Sequence, residues 1–177
     1  MGDVAQARQL FEGSGIFNRP QRPNEMVVVG YYHVLVGDFK KAAAVFGPLA
    51  QQGDAGDLML IVGVLRDSLG QPAERDQAFQ AVPAADSFKQ VSNFFAAAAQ
   101  KGDKAAANLE AADKLFKSLN DHDRPLTGLL MGLFLEKRGQ TAAARDYYER
   151  CLASLGRSNS FRAAVAAHRF RDLKETK

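Results

Sequence analysis

Residues 37–46 read GDFKKAAAVF, and residues 139–148 read GQTAAARDYY. Both open with Gly and then Asp or Gln, run through small helix formers, and end on aromatic rings. Related decamers begin at Gly2 (GDVAQARQLF), Gly70 (GQPAERDQAF) and Gly102 (GDKAAANLEA), so the leading glycines lie 35, 33, 32 and 37 residues apart. A period in this range marks an architecture built from short repeated units.

Five residues past each glycine comes a small residue, Ala7, Ala42, Ala107 or Ala144, with Arg75 as the exception. Nine residues past come Phe11, Phe46, Phe79, Ala111 and Tyr148. A spacing of four puts the small and the large residue on one helix face, where the ring has room beside its small neighbour. Seven residues before three of the four later glycines stands another, Gly30, Gly63 and Gly132, while Phe95 holds that place in the remaining unit. Glycine inside a helix costs about 1 kcal/mol relative to alanine, so its recurrence at a fixed offset points to close approach of two helices.

Each unit therefore reads as helix, glycine turn, helix. First helices are predicted near 25–36, 55–69, 87–101 and 124–138, and second helices near 39–51, 72–82, 104–118 and 141–155. Asn24, Asp38, Asp86, Asp103 and Asp123 are candidate caps, and Pro72 suits a first turn. Pro48 predicts a kink or a stop in its helix. Helix pairs of this length do not bury an apolar face alone, and stacking into a solenoid supplies the missing partner surface.

Carried by these residues, the pattern resembles the tetratricopeptide repeat. The best match is residues 126–155, LTGLLMGLFLEKRGQTAAARDYYERCLASL, with Gly132, Leu135, Gly139, Ala144, Tyr148 and Cys151 in the patterned places. Residues 24–51 match through Gly30, Gly37, Ala42 and Phe46. Residues 57–82 keep Gly63, Gly70 and Phe79 but place Arg66 and Arg75 where the pattern has Tyr and Ala. The third unit departs furthest, with Phe95 for the small residue and Ala111 for the ring. The family's tryptophan and the proline closing each unit are missing throughout. The resemblance implies an all-α fold, a right-handed α-solenoid of antiparallel helix pairs. Residues 1–23 form an N-terminal half-repeat helix and linker, 24–155 four helix pairs, and 156–177 a C-terminal capping helix.

The bulk composition agrees with a soluble helical domain. Of 177 residues 46 % are hydrophobic and 24 % charged, and the formal net charge is only +3, which does not by itself imply nucleic acid. The apolar run LMLIVGVL at 58–65 is too short to cross a bilayer. MGDVAQAR lacks the apolar core of a secretory signal, so the cytoplasm is the default compartment. The leading half-repeat offers an unpaired edge that could stack on another copy. At the other end, Phe161, Val165 and His168 or Arg169 follow amphipathic spacing and read as a polar cap. The alternative is a basic surface of Arg157, Arg162, Arg169 and Arg171 gripping an acidic partner or nucleic acid, though stacking aromatics between them are few.

No residue set carries catalysis. His33, His122 and His168 are far apart, without an i, i+4 pair to hold a metal. Asp121-His122-Asp123 lies in a turn and reads as helix capping with a solvated His. Cys151 takes the small place of a repeat and reads as packing, with no base placed beside it. The glycines do not cluster as a phosphate loop. The expectation is a non-enzyme without cofactor or metal.

In proteins of the family, first helices line a concave groove. By the resemblance its residues lie ten and six before each turn glycine: Val27 and Tyr31, Leu60 and Val64, Ser92 and Ala96, Leu129 and Leu133. None is Lys, Arg or Asn, so the clamp that grips acidic chaperone tails is missing. What remains is an apolar channel with Tyr31 at it, suited to an amphipathic helix or peptide of another protein. The expected role is a protein–protein interaction scaffold. The alternatives are a chaperone shielding a secreted or membrane-associated client, and self-assembly through the N-terminal edge. The periodic polar pairs of an RNA-reading helical repeat are not found.

Overall fold

The computed structural model describes residues 22–52, 55–101, 108–156 and 160–175. Among these residues there are nine helices and no strand: α1 (Pro23–Leu35), α2 (Phe39–Gln51), α3 (Gly56–Ser68), α4 (Pro72–Ala81), α5 (Lys89–Gln100), α6 (Leu109–Ser118), α7 (Arg124–Lys137), α8 (Thr141–Leu155) and α9 (Phe161–Glu175). The N-terminal half-repeat predicted at the first decamer, with the turn glycine Gly102 and its cap Asp103, lies outside the described residues.

Three turns are built alike. Gly37, Gly70 and Gly139 adopt φ of +76°, +69° and +69°, a region that side chains disfavour. In each, the next residue's amide bonds back five residues: Asp38 to the His33 carbonyl at 2.8 Å, Gln71 to Arg66 at 3.0 Å, and Gln140 to Leu135 at 3.0 Å. This is the Schellman closure of a helix C-terminus. The residue after the glycine is then the N-cap of the following helix, and Asp38 accepts from the Lys41 amide at 3.1 Å. The recurrent Gly-Asp/Gln of the sequence is thus a stop joined to a start.

The other predicted caps divide. Asp86 accepts from the Phe88 amide at 2.8 Å, just before α5. Asn24 sits inside the first turn of α1, and Asp123 stands at the N-cap of α7 without a side-chain cap bond. Asp123 instead accepts from the Asn120 side-chain amide at 2.8 Å. Asn108, not singled out from the sequence, caps α6 by accepting from Ala111 N at 3.1 Å. Pro48 does not end its helix: α2 runs on to Gln51. Leu49 and Ala50, just past the proline, are buried and hold that last turn in the core.

The helical glycines do what their spacing predicts. A Cβ built at Gly30 would lie 2.5 Å from Phe46 Cζ, and those at Gly63 and Gly132 would come closer still to the rings of Phe79 and Tyr148. Each second helix therefore lays a fully buried ring on the bare backbone of the first. The third unit has no such seat. Phe95 fills it and stacks between Phe79 (centroids 5.8 Å apart) and Phe134 (4.8 Å). Ala111 is exposed, while Ala112 and Phe116 turn inward from α6. With the ring on the wrong helix, α5 and α6 share only a thin contact.

Helices distant in the chain also meet. A stack of repeats confines contacts to neighbouring units, yet α3 packs on α7, and α9 packs on α1, α7 and α8. Asp67, 1 % exposed, draws α3 to α7. Its carboxylate lies 2.8 Å from Arg138 Nη1, 3.2 Å from Arg75 Nη1 and 3.6 Å from Lys137 Nζ. Lys137 also donates to the Asp67 carbonyl. The guanidinium of Arg138 lies 3.4 Å from the ring centroid of Phe134. Here Arg75, the departure from the small-residue pattern, has its reason: it helps neutralise a buried acid. Arg66, the other departure, donates to Gln71 Oε1 at 2.7 Å across the turn.

Candidate functional site

The residues expected to line a groove lie in or against the core. Tyr31 from α1, Leu60 and Val64 from α3, and Leu129 and Leu133 from α7 are all buried in one apolar cluster, and Val27 packs against it half-buried. Ser92 is buried too, its hydroxyl donating to the Phe79 carbonyl at 2.6 Å. Helix α9 packs on α1, α7 and α8, and its Val165 and Ala166 join the same core.

Two arginines fasten α9. Arg162 Nε donates to the Tyr31 hydroxyl at 2.9 Å, and its Nη2 lies 3.8 Å from Asp57 Oδ2 at the start of α3. Arg169 Nη1 pairs with Glu136 Oε1 of α7 at 3.2 Å. Its Nη2 donates to the Val34 carbonyl in the last turn of α1 at 3.3 Å. That is the end of a helix dipole where a cation is favoured. Burial raises the Tyr31 hydroxyl above its ordinary range, with Arg162 pulling the other way, so at neutral pH a phenol oxygen accepts from the guanidinium. Glu136 also accepts from the Tyr148 hydroxyl at 2.6 Å, which ties the acceptor to the ring seated on Gly132.

A helix is found in the closing segment, and its arginines divide. Val165 is buried as predicted, but Arg162 and Arg169 turn toward the channel, while Arg171 is exposed and Arg157 lies outside the described residues. Arg162 and Arg169 therefore do not share an exposed basic surface with Arg171. Asp57 and Glu136 were missed because they sit in α3 and α7, far in sequence from their partners. The one local signal was the spacing of seven between Arg162 and Arg169, two turns apart on one helix face.

Tyr31 is built in as core as well as contact. Its ring meets Phe46 edge-on at 5.4 Å, so truncation to alanine would open a cavity and confuse stability with binding. Tyr31→Phe isolates the hydroxyl. We expect a loss of about 1 kcal/mol, the ordinary worth of one such hydrogen bond, and faster amide exchange in α9 than in α8. Equal exchange in the two helices would remove the hydroxyl from the fastening of α9.

Cys151 is buried against α7, where a Cβ at Gly128 would lie 3.1 Å from its own Cβ. Burial pushes its thiol up to about 12, so it is protonated at neutral pH. His122 is exposed, and His168 lies 3.4 Å from Asp172 on its own helix. Among the described residues no group of three or more His, Cys, Asp or Glu is placed to hold a metal, and no helix is long and apolar enough to cross a membrane. Set against family models, curated proteins and solved structures, the chain matches none of them.

Proposed function

We propose that the protein is a protein–protein interaction module: a right-handed solenoid of antiparallel helix pairs, of tetratricopeptide type, that binds an amphipathic helix of a partner. The observation that carries this reading is α9 itself, a helix held against α1 and α7 by Arg162 and Arg169. A surface of Tyr31, Leu60, Val64, Leu129 and Leu133 accepts a helix with a small apolar face, flanked by acceptors for its cations. Helix-in-groove recognition has the same ingredients, an apolar stripe for affinity and polar rim contacts for register.

The test is affinity capture from the source lysate with the full chain and with Arg162→Ala/Arg169→Ala, which weakens the hold on α9. The expected result is one stoichiometric protein, retained more strongly by the variant and released on addition of a Leu133→Arg chain only weakly or not at all. Retention unchanged by either substitution would place binding elsewhere. No retained protein, with a mass by light scattering that grows with concentration, would replace this reading with self-assembly.

A further inference from the structure

We infer that α9 is an exchangeable occupant of the channel, and that the partner helix carries two arginines seven residues apart with small apolar residues midway between them. This rests on the interaction reading above and adds the chemistry that the partner must present. The template is in the chain itself: Arg162, Val165, Ala166 and Arg169, in the order Arg-x-x-Val-Ala-x-x-Arg.

The receptor half of this contact belongs to helices other than α9. Tyr31 and the Val34 carbonyl come from α1, Asp57 from α3 and Glu136 from α7. All four act as acceptors, two of them carboxylates, and they fall into two clusters. One receives Arg162 and the other Arg169, so their separation matches seven residues of helix, about 10 Å at 1.5 Å per residue. Arginine suits them better than lysine, since its planar fork reaches two acceptors at once. Between the clusters, small side chains fill the contact: Val165 and Ala166 are the fully buried residues among those described in α9.

The grip on α9 is also lighter than on its neighbour. Helix α8 buries Ala144, Tyr147, Tyr148 and Cys151, two of them large rings. Helix α9 buries one valine and one alanine fully, and its larger apolar residues, Phe161, Phe170 and Leu173, are only partly covered. One of its two fastening pairs stands at a rim, where the side chains of Arg162 and Asp57 are 28 % and 37 % exposed. Ion pairs with that access to water contribute little. A channel lined with two carboxylates and an apolar floor needs a cover, and this cover is held mainly by contacts that an equivalent helix reproduces.

The experiment uses the full chain and a fluorescein-labelled synthetic peptide of residues 160–175, SFRAAVAAHRFRDLKE, read by anisotropy. The Arg162→Ala/Arg169→Ala chain should bind it at least tenfold more tightly than wild type. The same peptide with both arginines replaced by alanine should lose at least tenfold on that chain. Equal affinity of both chains, with the variant's thermal melt still cooperative, overturns exchange; equal affinity of both peptides overturns the arginine requirement. Should the variant fail to fold, wild-type chain with excess unlabelled peptide decides: hydrogen exchange should speed in α9 while α1 and α7 stay protected. Uniform protection of α9 overturns the proposal. Wild-type mass doubling with concentration would assign the exchange to α9 of a second copy and overturn the partner helix. A lysate partner that persists while the peptide fails to bind would sink this inference and leave the interaction reading standing.

Discussion

Asp67→Ala is expected to destabilise the protein by about 3–5 kcal/mol, the cost of removing one partner from a buried charge cluster. The carboxylate is 1 % exposed, and the side chain of Arg138 is equally buried. Without the acid, that guanidinium loses the carboxylate at 2.8 Å and keeps the Phe134 carbonyl at 3.0 Å and the face of the Phe134 ring. Arg75 is better placed, because Asp76 Oδ1 lies 2.8 Å from its Nε, and Lys137 is partly exposed. The damage therefore concentrates on Arg138. Urea denaturation should show the midpoint falling for Asp67→Ala and nearly as far for Asp67→Asn, which keeps the shape and loses the charge. Replacing both partners, Asp67→Leu with Arg138→Met, should recover much of the loss, since an apolar pair leaves no buried ion uncompensated. A single Asp67→Ala within about 1 kcal/mol of wild type would mean that the cluster does not hold α3 to α7.

The second large effect is expected at Gly63. Alanine there gains about 1 kcal/mol in helix propensity, yet Gly63→Ala should lose about 2 kcal/mol net, within the usual range for overpacking a core. Its methyl would run into Phe79, and that ring cannot slide away because Phe95 stacks on it at 5.8 Å. Combining Gly63→Ala with Phe79→Leu removes the clash, so the two changes should couple by more than 1 kcal/mol in a double-mutant cycle. Gly47 serves as the control: it is also helical, but a Cβ there meets nothing within 4 Å. Proline follows it and limits the gain, so Gly47→Ala should stay within about 1 kcal/mol of wild type. Strict additivity at Gly63 and Phe79 would remove the ring-on-glycine seat as the basis of the repeat.

The elements that were legible in the sequence are those whose causes are local. Helices predicted at 39–51 and 141–155 are found at Phe39–Gln51 and Thr141–Leu155, because a left-handed glycine and the residue after it fix where each begins. The meeting of Gly30 with Phe46 was legible for a related reason: its spacing recurs in two other units. Phe95 and Ala111 signalled that the third unit departs, but not that Phe116 would take the inward place. The site was read only in part. An apolar side chain such as Leu60 or Leu129 has the same pattern whether it lines a groove or fills a core. What separates them is the position of α9, set by Arg162 and Arg169 against acceptors in α1, α3 and α7. No periodicity encodes a contact of that range.

The bond between Arg162 and Tyr31 spans 131 residues, and that span bears on how the chain reaches its fold. Units joined only to neighbours can nucleate anywhere and grow outward. Docking α9 on α1 adds a loop closure, and such distant contacts slow folding because chain entropy is lost before they form. The docking of α9 should then follow the transition state rather than build it. Tyr31→Phe should refold at the wild-type rate and unfold faster, so the native lifetime, more than the speed of folding, is what this clasp governs.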